Sequence, residues 1–254
     1  MKMPVHRIIP FSNVEGSGNR TSIFTQGCNA NCLYCHNSET IPMKSDETKL
    51  YSVDDLLEVI KANMPFIRGI TVSGGEATIH HKFLTELFKK VRELGLTCYV
   101  DTNGFFDIEE ISDLIEVTDK FLFDIKGVGE SLENLCFSDF LHVASKLVDN
   151  HKEDFSKSNK HLETLKFLLS QDKIEEVRLV YVKSFYDEKM AVGMIAEELV
   201  KYPEVLFKLI RVHARGLEVE RAIKLKGTIP TELETDALAK YATNLGLNNI
   251  KVIY

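Results

Sequence analysis

Short, continuously apolar runs alternate with amphipathic segments along this 254-residue chain, and that alternation limits what it can fold into. The runs are "TSIFTQ", "IRGITVS", "LTCYVDT", "KFLFDIK", "EEVRLVYV" and "VLFKLIRV". Strands buried on both faces read in this way, because helices cover both sides of a parallel sheet. Between them lie helical patterns. "SVDDLLEVIKANM" opens on Ser52 as an N-cap with Asp55 three residues on, and "HHKFLTELFKKVRELG" closes at Gly95. The alternation predicts an α/β fold with a parallel sheet. A partial (β/α)6 TIM-type barrel of parallel strands, one domain over 1–254, suits the length. A helical insertion is expected over about 130–157, and a helix and a last strand over 230–254. The pattern alone also allows a doubly wound open sheet.

The polar residues fall at informative places. Cys28 to Cys35 follow the first run, and Gly74-Gly75-Glu76 the second. Asp101 and Thr102 end the third, and Asp124-Ile125-Lys126 the fourth. Arg178 lies on the fifth and His213 ends the sixth. In parallel α/β folds the carboxyl ends of the strands share one rim, where active sites form.

"GCNANCLYCHN" places Cys28, Cys32 and Cys35 within eight positions of a chain with five cysteines. Chance would give that spacing in roughly two such chains per thousand. The opening "MKMPVHRIIPF" shows no apolar signal segment, so a cytoplasmic protein is expected and a disulfide scaffold is not. Core packing fits poorly, because the residues between the thiols are small or Asn-rich. A zinc set of Cys28, Cys32, Cys35 and His36 is one reading, although His36 directly follows Cys35 and no second pair of ligands is in view. A 4Fe–4S cluster is the better one: three thiolates take three irons and leave the fourth open to a reactant. Cys98 and Cys136 read as buried, inert thiols. The formal net charge is −7 without a basic cluster. That gives no electrostatic reason to expect nucleic acid or a membrane surface.

The residues resemble a family. "CNANCLYC" is the CxxxCxxC signature of the radical SAM enzymes, with Tyr34 just before the last cysteine. "SNVEGSGNR…FTQGCNANCLYCHN", "SGGEA", "DTNGF", "FDIK", "VRLVYV" and "IRVHARG" appear in the order found in glycyl-radical-enzyme activating enzymes, and the opening looks most like the YjjW-type branch. The likeness runs from about residue 7 to 126 and again from about 158 to 215. It implies a six-stranded partial barrel with one 4Fe–4S cluster on Cys28, Cys32 and Cys35. The open iron would be chelated by S-adenosylmethionine, whose reductive cleavage gives a 5′-deoxyadenosyl radical. That radical would take a hydrogen atom from a backbone glycine of a partner glycyl radical enzyme. A one-electron donor such as flavodoxin is implied as a further partner.

The resemblance also assigns cofactor contacts. Tyr34 and His36 would lie beside the cluster. Gly74 and Gly75 would let the cofactor's amino group approach a backbone without Cβ, with Glu76 supplying charge. Lys126, Arg178 and His213 would meet its carboxylate and ribose region. Asp101 and Asp124, with the backbone of Thr102 and Ile125, would hold a monovalent cation. Residues 38 to 66 contain no cysteine, so a single cluster is expected. Two alternatives stay open: a radical SAM enzyme acting on a small molecule, as the 7-carboxy-7-deazaguanine synthases do, and a zinc-stabilised interaction module without catalysis.

Overall fold

A computed structural model describes residues 1–129, 132–137 and 160–254. The insertion expected over about 130–157 lies outside the described residues apart from 132–137. Among the described residues nine strands form one sheet in the order β3-β1-β2-β4-β5-β6-β7-β8-β9, which is not closed. Its middle is the six expected strands: β2 (Arg20–Thr25), β4 (Gly69–Gly74), β5 (Thr97–Thr102), β6 (Lys120–Ile125), β7 (Ile174–Tyr181) and β8 (Leu206–Arg211). β2 pairs parallel with β4 and β4 with β5; β7 pairs parallel with β8. The fold is α/β with a mostly parallel sheet, as the alternation predicts.

The chain divides into two compact units. The first holds Met1–Asn29 and Glu39–Leu122. Here α1 (Val53–Asn63) begins with the expected capping box: the Asp55 amide donates to Ser52 Oγ at 3.2 Å and the Ser52 amide to the Asp55 carboxylate at 2.8 Å. α2 (His81–Glu93) buries Phe83, Leu84, Leu87, Phe88 and Val91, a single stripe at helical spacing. β4 carries Ile70 and Val72 without exposure. α3 (Ser112–Val117) precedes β6.

Two strands in this unit were not legible in the sequence. β1 (Met3–Ser12) pairs antiparallel with β2 and with the short β3 (Lys49–Tyr51). Pro4 and Pro10 argue against a strand, since neither can donate to a ladder. The structure accommodates Pro10 inside a register shift between Ile9 and Ser12, where its carbonyl accepts from Thr21 Oγ1 at 2.9 Å.

Arg20 is the largest buried polar side chain of this unit. Its Nε donates to Thr71 Oγ1 at 2.8 Å, and one terminal nitrogen donates to the carbonyls of Ile70 at 2.7 Å and Thr97 at 3.0 Å. The guanidinium lies 3.5 Å from the centre of the Tyr99 ring. Neighbouring strands are thus tied by one fork of donors, and each bond offsets part of the cost of burying the guanidinium.

The second unit holds Ala30–Ser38 and Phe123–Tyr254. It contains α4 (Lys160–Ser170), α5 (Glu188–Leu199), α6 (Val219–Lys224), α7 (Glu232–Asn244) and β9 (Ile250–Ile253). β9 adds in parallel to β8. The sequence pattern predicts α7 and β9 but not the six-residue α6. No helix among the described residues is long and apolar enough to cross a membrane.

His161, fully buried in the first turn of α4, bonds the Gly127 carbonyl through Nε2 at 3.0 Å. Burial pushes its pKa down to about 4. In the unfolded chain a histidine titrates near 6.5. Below that pH the unfolded chain takes up a proton that the folded one refuses. Stability is therefore full above about pH 6.5 and lost as pH falls toward 4, by about 2 kcal/mol at pH 5. Urea melts at pH 7 and 5 should show that loss, and a His161→Gln variant should show correspondingly less of it. Equal losses in both proteins would rule the histidine out.

Candidate active site

The cysteine loop runs through both units: Cys28 belongs to the first, and Cys32 and Cys35 to the second. In the second unit the loop backbone is pinned by a single π-helical turn at Glu133–Phe137. The Asn31 amide donates to the Cys136 carbonyl at 2.7 Å and the Leu33 amide to the Leu135 carbonyl at 2.8 Å. Arg221, on α6, donates to the Cys32 carbonyl at 2.5 Å and to Asn31 Oδ1 at 2.7 Å. The Cys35 amide also donates to the Cys32 carbonyl, at 3.0 Å.

The thiols differ in character. Cys32 Sγ lies 3.2 Å from Cys136 Sγ. That hydrogen bond, aided by Lys126 and opposed by burial, holds the Cys32 thiol below its ordinary pKa. Burial, with the neighbouring Cys32, pushes Cys35 up to about 11. Cys136 is buried as expected, yet it is not a bystander, since both its sulfur and its carbonyl engage the loop.

The same unit brings several expected residues together. Lys126 Nζ donates to Asp124 at 2.7 Å and sits 6.0 Å from the Tyr34 ring centre. Arg178 lies 3.8 Å from Asp124, and its Nε donates to Glu176 at 2.6 Å. Lys208 reaches Glu176 at 2.5 Å. Burial alone would raise the Asp124 carboxyl; Lys126 and Arg178 more than offset it and hold the group below the usual range. Ile125, between Asp124 and Lys126, is buried. His36 Nε2 and His213 Nδ1 are 3.2 Å apart with ring centres at 4.4 Å. Burial, and then His213, lowers the His36 pKa. The Tyr34 hydroxyl is buried without a hydrogen-bond partner among the described residues.

In the first unit the "SGGE" turn lies against the chain entering the loop. The Gly75 amide donates to the Thr25 carbonyl at 3.1 Å and the Glu76 amide to the Gly27 carbonyl at 2.8 Å. Gly27 and Cys28 donate to the carbonyls of Thr40 and Ile41. A Cβ on Gly75 would lie 1.9 Å from the Gly27 carbonyl oxygen, and one on Gly74, whose φ is +115°, 2.2 Å from the Thr25 nitrogen. The turn is thus packed closely against the protein's own backbone. Glu76 is hydrogen-bonded within the same unit. It accepts from the Thr78 amide and hydroxyl, from Thr102 Oγ1 at 2.7 Å and from the Asn103 amide at 2.9 Å. Burial raises its carboxyl pKa against those four bonds. Asp101 accepts from Ser73 Oγ at 3.1 Å.

Sequence reasoning overlooked Asn29, Asn103, Cys136 and Arg221. Asn29 donates to the Phe105 carbonyl at 2.7 Å and accepts from Asn103 at 2.8 Å, which fixes the residue after Cys28 on the "DTNG" turn. The asparagines of "CNANC" were the visible signal.

Residues 22–153 match the family model of the radical SAM superfamily. A Haemophilus influenzae protein named as a glycyl-radical enzyme activating enzyme is 50% identical over 99% of this chain and 97% of its own length. The chain belongs to the radical SAM family of glycyl-radical enzyme activating enzymes. The pyruvate formate-lyase 1-activating enzyme of Escherichia coli is 28% identical over 91% of both chains. Among solved structures, a domain of pyruvate-formate lyase-activating enzyme from Bacteroides vulgatus superimposes with a TM-score of 0.51 at 18% identity. It covers 72% of this chain and 98% of that one, a likeness of fold.

Membership of the radical SAM family implies a 4Fe–4S cluster and S-adenosylmethionine. The residues fit such a group. All five cysteines are free thiols, and the positive charge of Lys126 and Arg221 near Cys32 suits an anionic thiolate centre.

Proposed function

We propose that this protein, like the activating enzymes it resembles, places a radical on a backbone glycine of a partner glycyl radical enzyme. The observation that carries this reading is the 50% identity that extends over 99% of the chain to a protein of that name, with Cys28, Cys32 and Cys35 in the family's spacing. Those three thiolates would hold the cluster. When bound, the cluster and S-adenosylmethionine supply one-electron chemistry that ends in a carbon-centred radical.

The chain's own residues bind and orient. Burial alone would discharge Lys126; Asp124, together with Cys32 and Cys136, more than offsets it and keeps the ammonium charged, available to an anionic group beside the loop. The unpartnered Tyr34 hydroxyl and the His36–His213 pair are polar groups next to the loop that a bound nucleoside can use. Only Cys98 and Cys136 lie outside the loop's spacing, and burial drives the Cys98 thiol pKa upward. The sequence holds no second cysteine set for another cluster, and an external one-electron protein such as flavodoxin would supply the electron.

The test is anaerobic. The iron-loaded protein, a reductant, S-adenosylmethionine and a candidate glycyl radical enzyme are mixed and followed by electron spin resonance. A persistent glycyl signal that requires S-adenosylmethionine is expected. Cofactor cleavage without any signal, across the glycyl radical enzymes of the same cell, would instead favour a small-molecule substrate.

A further inference from the structure

Arg221 is a buried cation without a matching buried anion among the described residues. It is 4% exposed. Its Nε is 3.4 Å from Glu218, whose side chain is 58% exposed, so that pairing is solvent-screened. Its other two nitrogens donate to the cysteine loop, at the Cys32 carbonyl and the Asn31 side chain. Glu218 in turn accepts from Ser38 Oγ at 2.9 Å. The four residues from Glu218 to Arg221 thus grip the loop near both of its ends. A guanidinium that is buried against a carbonyl and an amide oxygen leaves a charge to be met. A thiolate cluster beside Cys32 would meet it. The planar fork also explains why arginine stands here: it reaches two acceptors at once, which an ammonium on a flexible stem does not fix.

We propose that Arg221 is a positioning residue of the cluster: its fork holds Asn31 and Cys32 in the ligating conformation, and its charge favours the reduced, more negative state. The inference rests on the cluster reading above. Reduction adds an electron to the cluster and moves no proton to Arg221, which stays cationic throughout. Removing the charge makes reduction harder; removing only the fork loosens the loop.

Wild type, Arg221→Lys and Arg221→Gln are purified, reconstituted with iron and sulfide without oxygen, and compared by three measurements. These are melting of the metal-free protein, the rate of iron release to a chelator, and the midpoint potential. Arg221→Gln is expected to release iron about tenfold faster and to show an about tenfold lower reduced-to-oxidised ratio at fixed potential, which is about 59 mV for one electron. Arg221→Lys is expected to keep the potential near wild type while still releasing iron faster. Wild-type release rate and potential in both variants would overturn the proposal. So would iron loss that only tracks a lower melting temperature of the metal-free protein, with the potential unchanged. Wild-type protein that takes up no iron would overturn the cluster reading and this one with it.

Discussion

A Cys32→Ala variant is expected to fold, to stay nearly colourless after anaerobic reconstitution, and to lose S-adenosylmethionine cleavage by about a thousandfold or more. The loop backbone at this position does not depend on the thiol. The Cys32 carbonyl is held by Arg221 and by the Cys35 amide, and the flanking amides of Asn31 and Leu33 are held by the turn at Leu135 and Cys136. Truncation therefore removes a sulfur and leaves the chain path. The small cavity costs about 1 kcal/mol, too little to unfold the protein. What disappears is the thiol whose surroundings already favour the thiolate. Two cysteines of the loop remain, and two corners do not retain a cube against dilution.

Cys136 is the control that makes this result interpretable. Its sulfur is only 3.2 Å from that of Cys32, so it is the one other thiol in direct contact with a loop cysteine among the described residues. Cys136→Ala removes the sulfur that hydrogen-bonds Cys32 but no residue of the CxxxCxxC spacing. It is expected to take up iron as wild type does. Full iron content in Cys32→Ala, or an equal loss in Cys136→Ala, would mean that the loop's ligands are assigned wrongly.

Much of the fold was written in local pattern. The six continuously apolar runs became β2, β4, β5, β6, β7 and β8, and the Ser52–Asp55 signal became a capping box. Local pattern failed where tertiary pairing overrode it. β1 carries two prolines, and it is a strand because a register shift absorbs Pro10 and β2 and β3 supply partners. The chemistry of the loop was legible in three cysteines, but what supports it was not. Arg221 reaches Asn31 across 190 positions, and Cys136 meets Cys32 across 104. No window of sequence contains either pair. Glu76 illustrates a different limit. The carboxylate after the strand was visible in the sequence, but not the bonds from Thr78, Thr102 and Asn103 that brace it between two turns.

Gly75→Ala is expected to be strongly damaging to the first unit. Its Cβ would lie 1.9 Å from the Gly27 carbonyl oxygen and 2.8 Å from that of Thr40, both backbone atoms that cannot swing aside. Relief requires the "SGGE" turn to move by more than an ångström. That movement breaks the bonds from the Gly75 amide to Thr25 and from the Glu76 amide to Gly27. Two buried backbone bonds and the residual strain amount to about 3 kcal/mol, or roughly 6–12 °C in a chain of this size. Gly95→Ala tests a different cause. Gly95 closes α2 at a φ of +75° with nothing within 4 Å of a Cβ, so alanine there meets no atom and costs only the left-handed conformation, about 1 kcal/mol. The two variants add the same methyl group, one against a wall and one into open space. The difference should extend to function, because Gly27 precedes Cys28 and any shift of the turn drags the first thiol with it. Melting curves of the metal-free proteins and their iron uptake decide the matter. Gly95→Ala should load iron fully and melt slightly early, and Gly75→Ala should melt much earlier and load poorly. If Gly75→Ala melts no earlier than Gly95→Ala, the turn has slack that these distances deny, and the glycine is there for a ligand instead.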